Sequence, residues 1–169
     1  MAATNEAVAD SQDPMLFYVF GAVILLCLLS FRSLRATLSV VIPLYVVSVL
    51  AQALMTFLEI GLTVSTLPVI ALGVGIGVDY GIYILSTMVV HIRAGDTIQA
   101  AYLAALKERG SAVLFTGITL AIGVSTWVFS SLKFQMDMGI LLTFMFIVNM
   151  LGAIIVLPAI AKLLWWNKK

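Results

Sequence analysis

One ionisable group stands out in the run Gly-Val-Gly-Ile-Gly-Val-Asp-Tyr-Gly-Ile-Tyr at residues 73–83: Asp79, followed by Tyr80. The run sits inside an otherwise uncharged stretch, Val64–Val90, with fifteen residues before the acid and eleven after it. If that stretch crosses a bilayer, Asp79 lies near the midplane. An ionised carboxylate there costs about 2.5–3.5 kcal/mol on insertion scales. A sequence tolerates that cost where the group faces protein or water. One reading is structural, a polar residue that holds helices together. The other is a proton or ion carrier, because a carboxylic acid alternates between neutral and anionic forms and its surroundings set the balance. A unit charge moved through the field gains about 2.3 kcal/mol per 100 mV, enough to drive a conformational cycle.

The glycines around the acid have a geometry. At about 100° per residue, Gly73, Gly77 and Gly81 share one helical face, a spacing that lets a neighbouring helix approach closely. Gly75 lies one turn before Asp79 on the same face as the acid and leaves space beside it. A second polar pattern lies in Ser111–Leu132. There Ala112, Thr116, Thr119, Gly123, Thr126 and Ser130 fall on one stripe expected to run down the whole helix. Such a stripe can hydrogen-bond an acid and support a water chain, or simply pack against another helix. Ser48, Gln52 and Thr56 form a shorter stripe, and Asn149 near Gly152 is a mid-span amide. Both read as contacts between helices.

These residues need a membrane around them. Of the 169 residues, 63% are hydrophobic and only 10% charged, and the mean hydropathy is +1.17. A soluble domain has about 25% charged residues, so the composition excludes a soluble enzyme, a nucleic-acid binder and a disordered segment. Five apolar runs, Met15–Phe31, Ala36–Leu58, Val64–Val90, Ser111–Leu132 and Met138–Ala161, are 17 to 27 residues long. About 20 apolar residues suffice to cross the hydrocarbon core. The expected fold is therefore an all-α membrane protein, a bundle of five transmembrane helices.

The charges orient it. Eight of the nine Lys and Arg fall on one side of these spans, at Arg32, Arg35, Arg93, Lys107, Arg109, Lys162, Lys168 and Lys169. The other side holds Glu6, Asp10, Asp13, Glu59, Asp137 and a single base, Lys133. The positive-inside rule then places the N-terminus outside (periplasmic) and the C-terminus in the cytoplasm. Residues 1–14 read as an external segment, 15–164 as the five-span domain and 165–169 as a cytoplasmic tail, with Trp165 and Trp166 as interfacial anchors. The loops 59–63 and 133–137 read as tight external hairpins. On the basic side, 96–109 reads as an amphipathic helix along the membrane surface, started by an Asp96/Gln99 capping box. An outside N-terminus without an export signal fits the C-terminal part of a longer protein. Cys27 stands alone, which excludes an intrachain disulfide and a multi-Cys metal site. No nucleophile–base pair, phosphate loop or metal cluster appears, and His91 lies at a span edge, so neither an enzyme nor a bound cofactor is expected.

Residues 73–83 resemble the fourth-span motif of the resistance–nodulation–division superfamily, and more narrowly of MMPL-type exporters. Leu29-Ser-Phe-Arg-Ser-Leu-Arg-Ala, Lys133-Phe-Gln-Met-Asp-Met-Gly-Ile-Leu-Leu and Asn149-Met-Leu-Gly-Ala-Ile-Ile-Val-Leu-Pro are similar to the second half of such exporters. The resemblance implies spans eight to twelve of a two-half transporter. Asp79 and Tyr80 would be its proton-relay pair, Thr116 and Thr119 relay hydroxyls on the adjacent span, and protons the coupling ion. It also implies export of hydrophobic or amphiphilic compounds, such as lipids or drugs, across a bacterial inner membrane, driven by the proton-motive force. The expected partners are the lipid bilayer, the substrate, and the first half with its porter domains or a second copy of the chain. The alternative is a non-transporting, sterol-sensing-like module that binds lipid or partner proteins, with Asp79 structural.

Overall fold

The computed structural model describes residues 2–60 and 67–165, with side chains from Pro14 onward except at Leu67. The expected 59–63 loop lies outside these residues beyond Ile60. The expected tail lies outside them beyond Trp165. Every regular element among the described residues is helical. In chain order they are α1 (Ala2–Phe31), α2 (Leu34–Phe57), α3 (Leu67–Arg93), α4 (Ile98–Ala105), α5 (Ser111–Ser125), α6 (Lys133–Leu151) and α7 (Leu157–Trp165). A helix satisfies all its backbone groups internally, which a chain this apolar needs in lipid. Five helical stretches are long and apolar enough to cross a membrane: Pro14–Phe31, Leu34–Phe57, Pro68–Arg93, Ile98–Phe129 and Lys133–Trp165.

The third span is the centre of the bundle. α3 packs on α1, α2, α4 and α6. Its side chains Val74, Ile84, Leu85 and Met88 are fully buried, as are Leu141 and Met145 of α6. The chain reverses after α1 through Arg32, at a left-handed φ of 49°, and extended Ser33. It leaves α3 through Gly95 at φ +101°, a conformation that only glycine adopts without strain.

Four expectations about element boundaries are corrected. First, the polar segment 96–109 is not set off from the fourth span as a helix of its own. α4 runs into α5 through a π-turn, Leu106–Gly110, and the backbone stays right-handed helical at Ala105, Leu106, Gly110 and Ser111. The expected apolar face is nonetheless the buried one: Ala101 and Ala105 are fully enclosed, and α4 packs on α3. Second, the cap of α4 is Thr97, whose Oγ1 accepts from the Ala100 N–H at 3.3 Å. Asp96 is engaged elsewhere, by His91. Third, the fourth span ends early. It tightens into a 3-10 turn at Thr126–Phe129, and Ser130 is already extended. The small-residue stripe therefore does not run the whole helix. Ser130 Oγ instead donates to Gln135 Oε1 at 2.9 Å across the turn into α6. Fourth, residues 133–137 belong to α6, so the hairpin is only Ser130–Leu132. Polarity alone read them as loop, but Lys133 and Asp137 sit in the first turns of a helix that continues beyond its apolar part.

The last span carries a second π-turn, Gly152–Val156, where the Leu157 N–H reaches Gly152 O five residues back. A Cβ at Gly152 would stand 4.0 Å from the ring of Pro43, inside α2. Two interrupted helices thus meet at one level.

Candidate functional site

Asp79 lies one residue from the middle of α3. It is exposed on the outer wall of the bundle, as are Gly75 and Tyr83. A Cβ at Gly75 would meet nothing within 4 Å. No hydrogen bond or ion pair joins Asp79 to any other described residue. Its neighbour Tyr80 is enclosed: it is 1% exposed, and its hydroxyl has no partner among the described residues.

The opposite face of α3 is closely packed. A Cβ at Gly73 would overlap the end of Met145. One at Gly77 would lie 2.5 Å from Asn149 Cγ and 2.6 Å from Leu44 Cδ2. One at Gly81 would lie 2.9 Å from Val40 Cγ1. The row Gly73, Gly77, Gly81 is where α2 and α6 close on α3. Asn149 ties this contact: its Nδ2 donates to Gly73 O at 2.8 Å, fully buried. The two hydroxyls of the α2 stripe donate within their own helix. Ser48 Oγ donates to Tyr45 O and Thr56 Oγ1 to Gln52 O, both within α2. A hydroxyl satisfied three or four residues back in its own helix has no donor left for a neighbour.

α5 repeats the arrangement of α3. It lies against α6 through Val113, Gly117 and Ala121, which are buried. Ala112, Thr116, Thr119, Gly123 and Thr126 are exposed on its outer side. Within this chain Thr116 and Thr119 make no hydrogen bond to Asp79. On both helices the exposed face carries polar side chains, Asp79 on α3 and Thr116, Thr119 and Thr126 on α5.

The basic end holds two features that sequence reasoning missed. His91 bridges two carboxylates, with Nδ1 2.8 Å from Asp96 Oδ2 and Nε2 3.3 Å from Glu108 Oε1. Asp96 five residues away was a discoverable partner, whereas Glu108 comes close only because α4 folds back. In addition, Tyr102 of α4 donates its hydroxyl to Ile154 O in the last span at 2.9 Å. A helix would ordinarily supply that carbonyl with the N–H four residues on, but residue 158 is proline and has none. The tyrosine provides the missing donor. A proline in a membrane span is a visible signal of an orphaned carbonyl, but not of which residue answers it.

A model of the MMPL family matches residues 1–165. A membrane protein of Methanocaldococcus jannaschii is 25% identical over 135 residues, covering 80% of this chain and 35% of that protein. In Mycobacterium tuberculosis, strains CDC 1551 and H37Rv, a protein carrying the name probable transport protein MmpL12 is 28% identical over 149 residues. That match covers 84% of this chain and 13% of the mycobacterial protein. The chain therefore spans about a third of one relative and about an eighth of the other. The family match runs through all five spans, including the glycine-flanked acid of α3, and this multi-pass helical membrane chain belongs to the MMPL family.

Proposed function

We propose that the chain is the transmembrane part of a proton-motive-force-driven exporter of hydrophobic or amphiphilic compounds, such as lipids or drugs, in a bacterial inner membrane. The observation that carries this reading is Asp79, mid-helix and exposed on the outside of an apolar bundle. Left against lipid, the carboxylate is costly. Faced by a second bundle, it lies in a protein interface where a proton can be taken up and released. The open space at Gly75 and the outward Thr116 and Thr119 fit such an interface. In this reading Asp79 carries the proton. The hydroxyls of Tyr80, Thr116 and Thr119 relay it once the partner bundle, the first half or a second copy, is in place. The basic residues Arg32, Arg35, Arg93, Lys107, Arg109 and Lys162 on one side of the spans support a reading with that end in the cytoplasm and the N-terminus in the periplasm. A relative named for transport supports the same direction.

The test is Asp79→Asn in the intact protein, with export measured under an imposed proton gradient. Export is expected to fall to background while membrane insertion and amount of protein hold. Export equal to that of the unmodified protein would end the proposal.

A further inference from the structure

At the basic end a cavity of about 830 Å³ opens between the α1–α2 turn, the end of α3, the start of α4 and the end of α7. Its walls are of two kinds. Arg93 and Lys162 supply positive charge, while Ile92, Ile98 and Trp165 supply apolar surface. Arg93 donates one N–H, from Nη2, to Phe31 O at 3.3 Å. A guanidinium has five such donors, so the rest of the group remains able to bind an anion. The one acid in the wall, Asp96, has its Oδ2 against His91 Nδ1 at 2.8 Å. The cavity lies at the ends of two apolar spans, Pro68–Arg93 and Lys133–Trp165, which is headgroup depth if those spans cross the membrane.

We propose that this cavity binds the phosphodiester headgroup of an anionic phospholipid. Arg93 and Lys162 take the phosphate, and Ile92, Ile98 and Trp165 take the glycerol and the first part of the acyl chains. A phosphate ion from solution would use only the charged wall, whereas a phospholipid uses both walls, and basic pockets between membrane helices suit such headgroups. The site is separate from Asp79 and does not depend on its role.

The experiment is native mass spectrometry of the full chain in neutral detergent, with phosphatidylglycerol and phosphatidylcholine supplied in equal amounts. Phosphatidylglycerol is expected to be retained in preference. Arg93→Gln and Lys162→Gln should each reduce that preference about fivefold, the effect of one basic residue on an anionic headgroup. Arg35→Gln makes the same change in net charge outside the cavity and should leave the preference intact. Equal retention of the two lipids, or an equal loss with Arg35→Gln, would overturn the proposal. If Arg93→Gln unfolds, Lys162→Gln decides alone. Millimolar inorganic phosphate separates the two sources: displacement of the lipid by phosphate would replace the lipid assignment with a solution anion, and persistence of the lipid supports it.

Discussion

Asp79 and Tyr80 are adjacent in sequence and about 100° apart around α3, the acid exposed and the tyrosine enclosed. This separates tests of function from tests of folding. The Tyr80 hydroxyl is buried without a partner among the described residues, a situation that costs about 1–3 kcal/mol. Tyr80→Phe is therefore expected to leave the bundle as stable as before or more so, in thermal or chemical unfolding. A loss of export in that variant would then report on proton transfer and not on the fold. The glycines divide in the same way. Gly77→Ala places a methyl group against Asn149 and Leu44 and is expected to destabilise the bundle by about 1–3 kcal/mol, as overpacking does. Gly75→Ala meets open space and should leave the stability of the isolated bundle unchanged. If the outer wall receives a partner bundle, the same change should weaken that association.

At the level of elements, the joint between α4 and the last span is the testable feature. Tyr102→Phe removes the hydrogen bond between α4 and that span, and is expected to cost about 0.5–1.5 kcal/mol. The Pro158→Ala background restores an N–H four residues after Ile154. In that background the tyrosine change should cost less, a coupling that a double-mutant cycle measures. Equal costs in both backgrounds would show that the proline does not create the need for the hydroxyl. The five spans and the central place of Asp79 were legible in hydropathy and charge alone, because transfer into lipid is what those quantities measure. The outward direction of Asp79, Thr116 and Thr119 was not. Lipid and a helix surface are equally apolar, so a helix with few charges carries little sequence signal for which side meets protein. Nor were the π-turns legible. Leu106–Gly110 and Gly152–Val156 keep helical dihedrals, and glycine at Gly110 and Gly152 marks no end, contrary to its usual meaning after a helix.

At the scale of the whole molecule, α3 and α5 each leave a polar face uncovered by the chain's own helices. Among the five spans, the fourth is the least enclosed by its own chain together with the first, whereas the third is the most enclosed. Yet the third still exposes its one acid. A pair of bundles meeting through these faces would cover Asp79, Gly75 and the α5 hydroxyls together. Gly75→Cys in a Cys27→Ser chain is expected to crosslink across that interface in membranes, to a second copy when the chain is expressed alone. A cysteine at Phe20, whose ring packs on Tyr45 between α1 and α2, should not. Crosslinking of both positions at equal rates would indicate random encounters.

The meeting of Pro43 with the widened turn at Gly152 has a mechanical meaning. Each helix lacks a regular backbone hydrogen bond there, and helices bend most easily where the ladder is broken. With both breaks side by side, the bundle has a crease. Tyr102 holds the Ile154 carbonyl inside that widened turn, so α4 is tied to the last span where its backbone ladder is weakest.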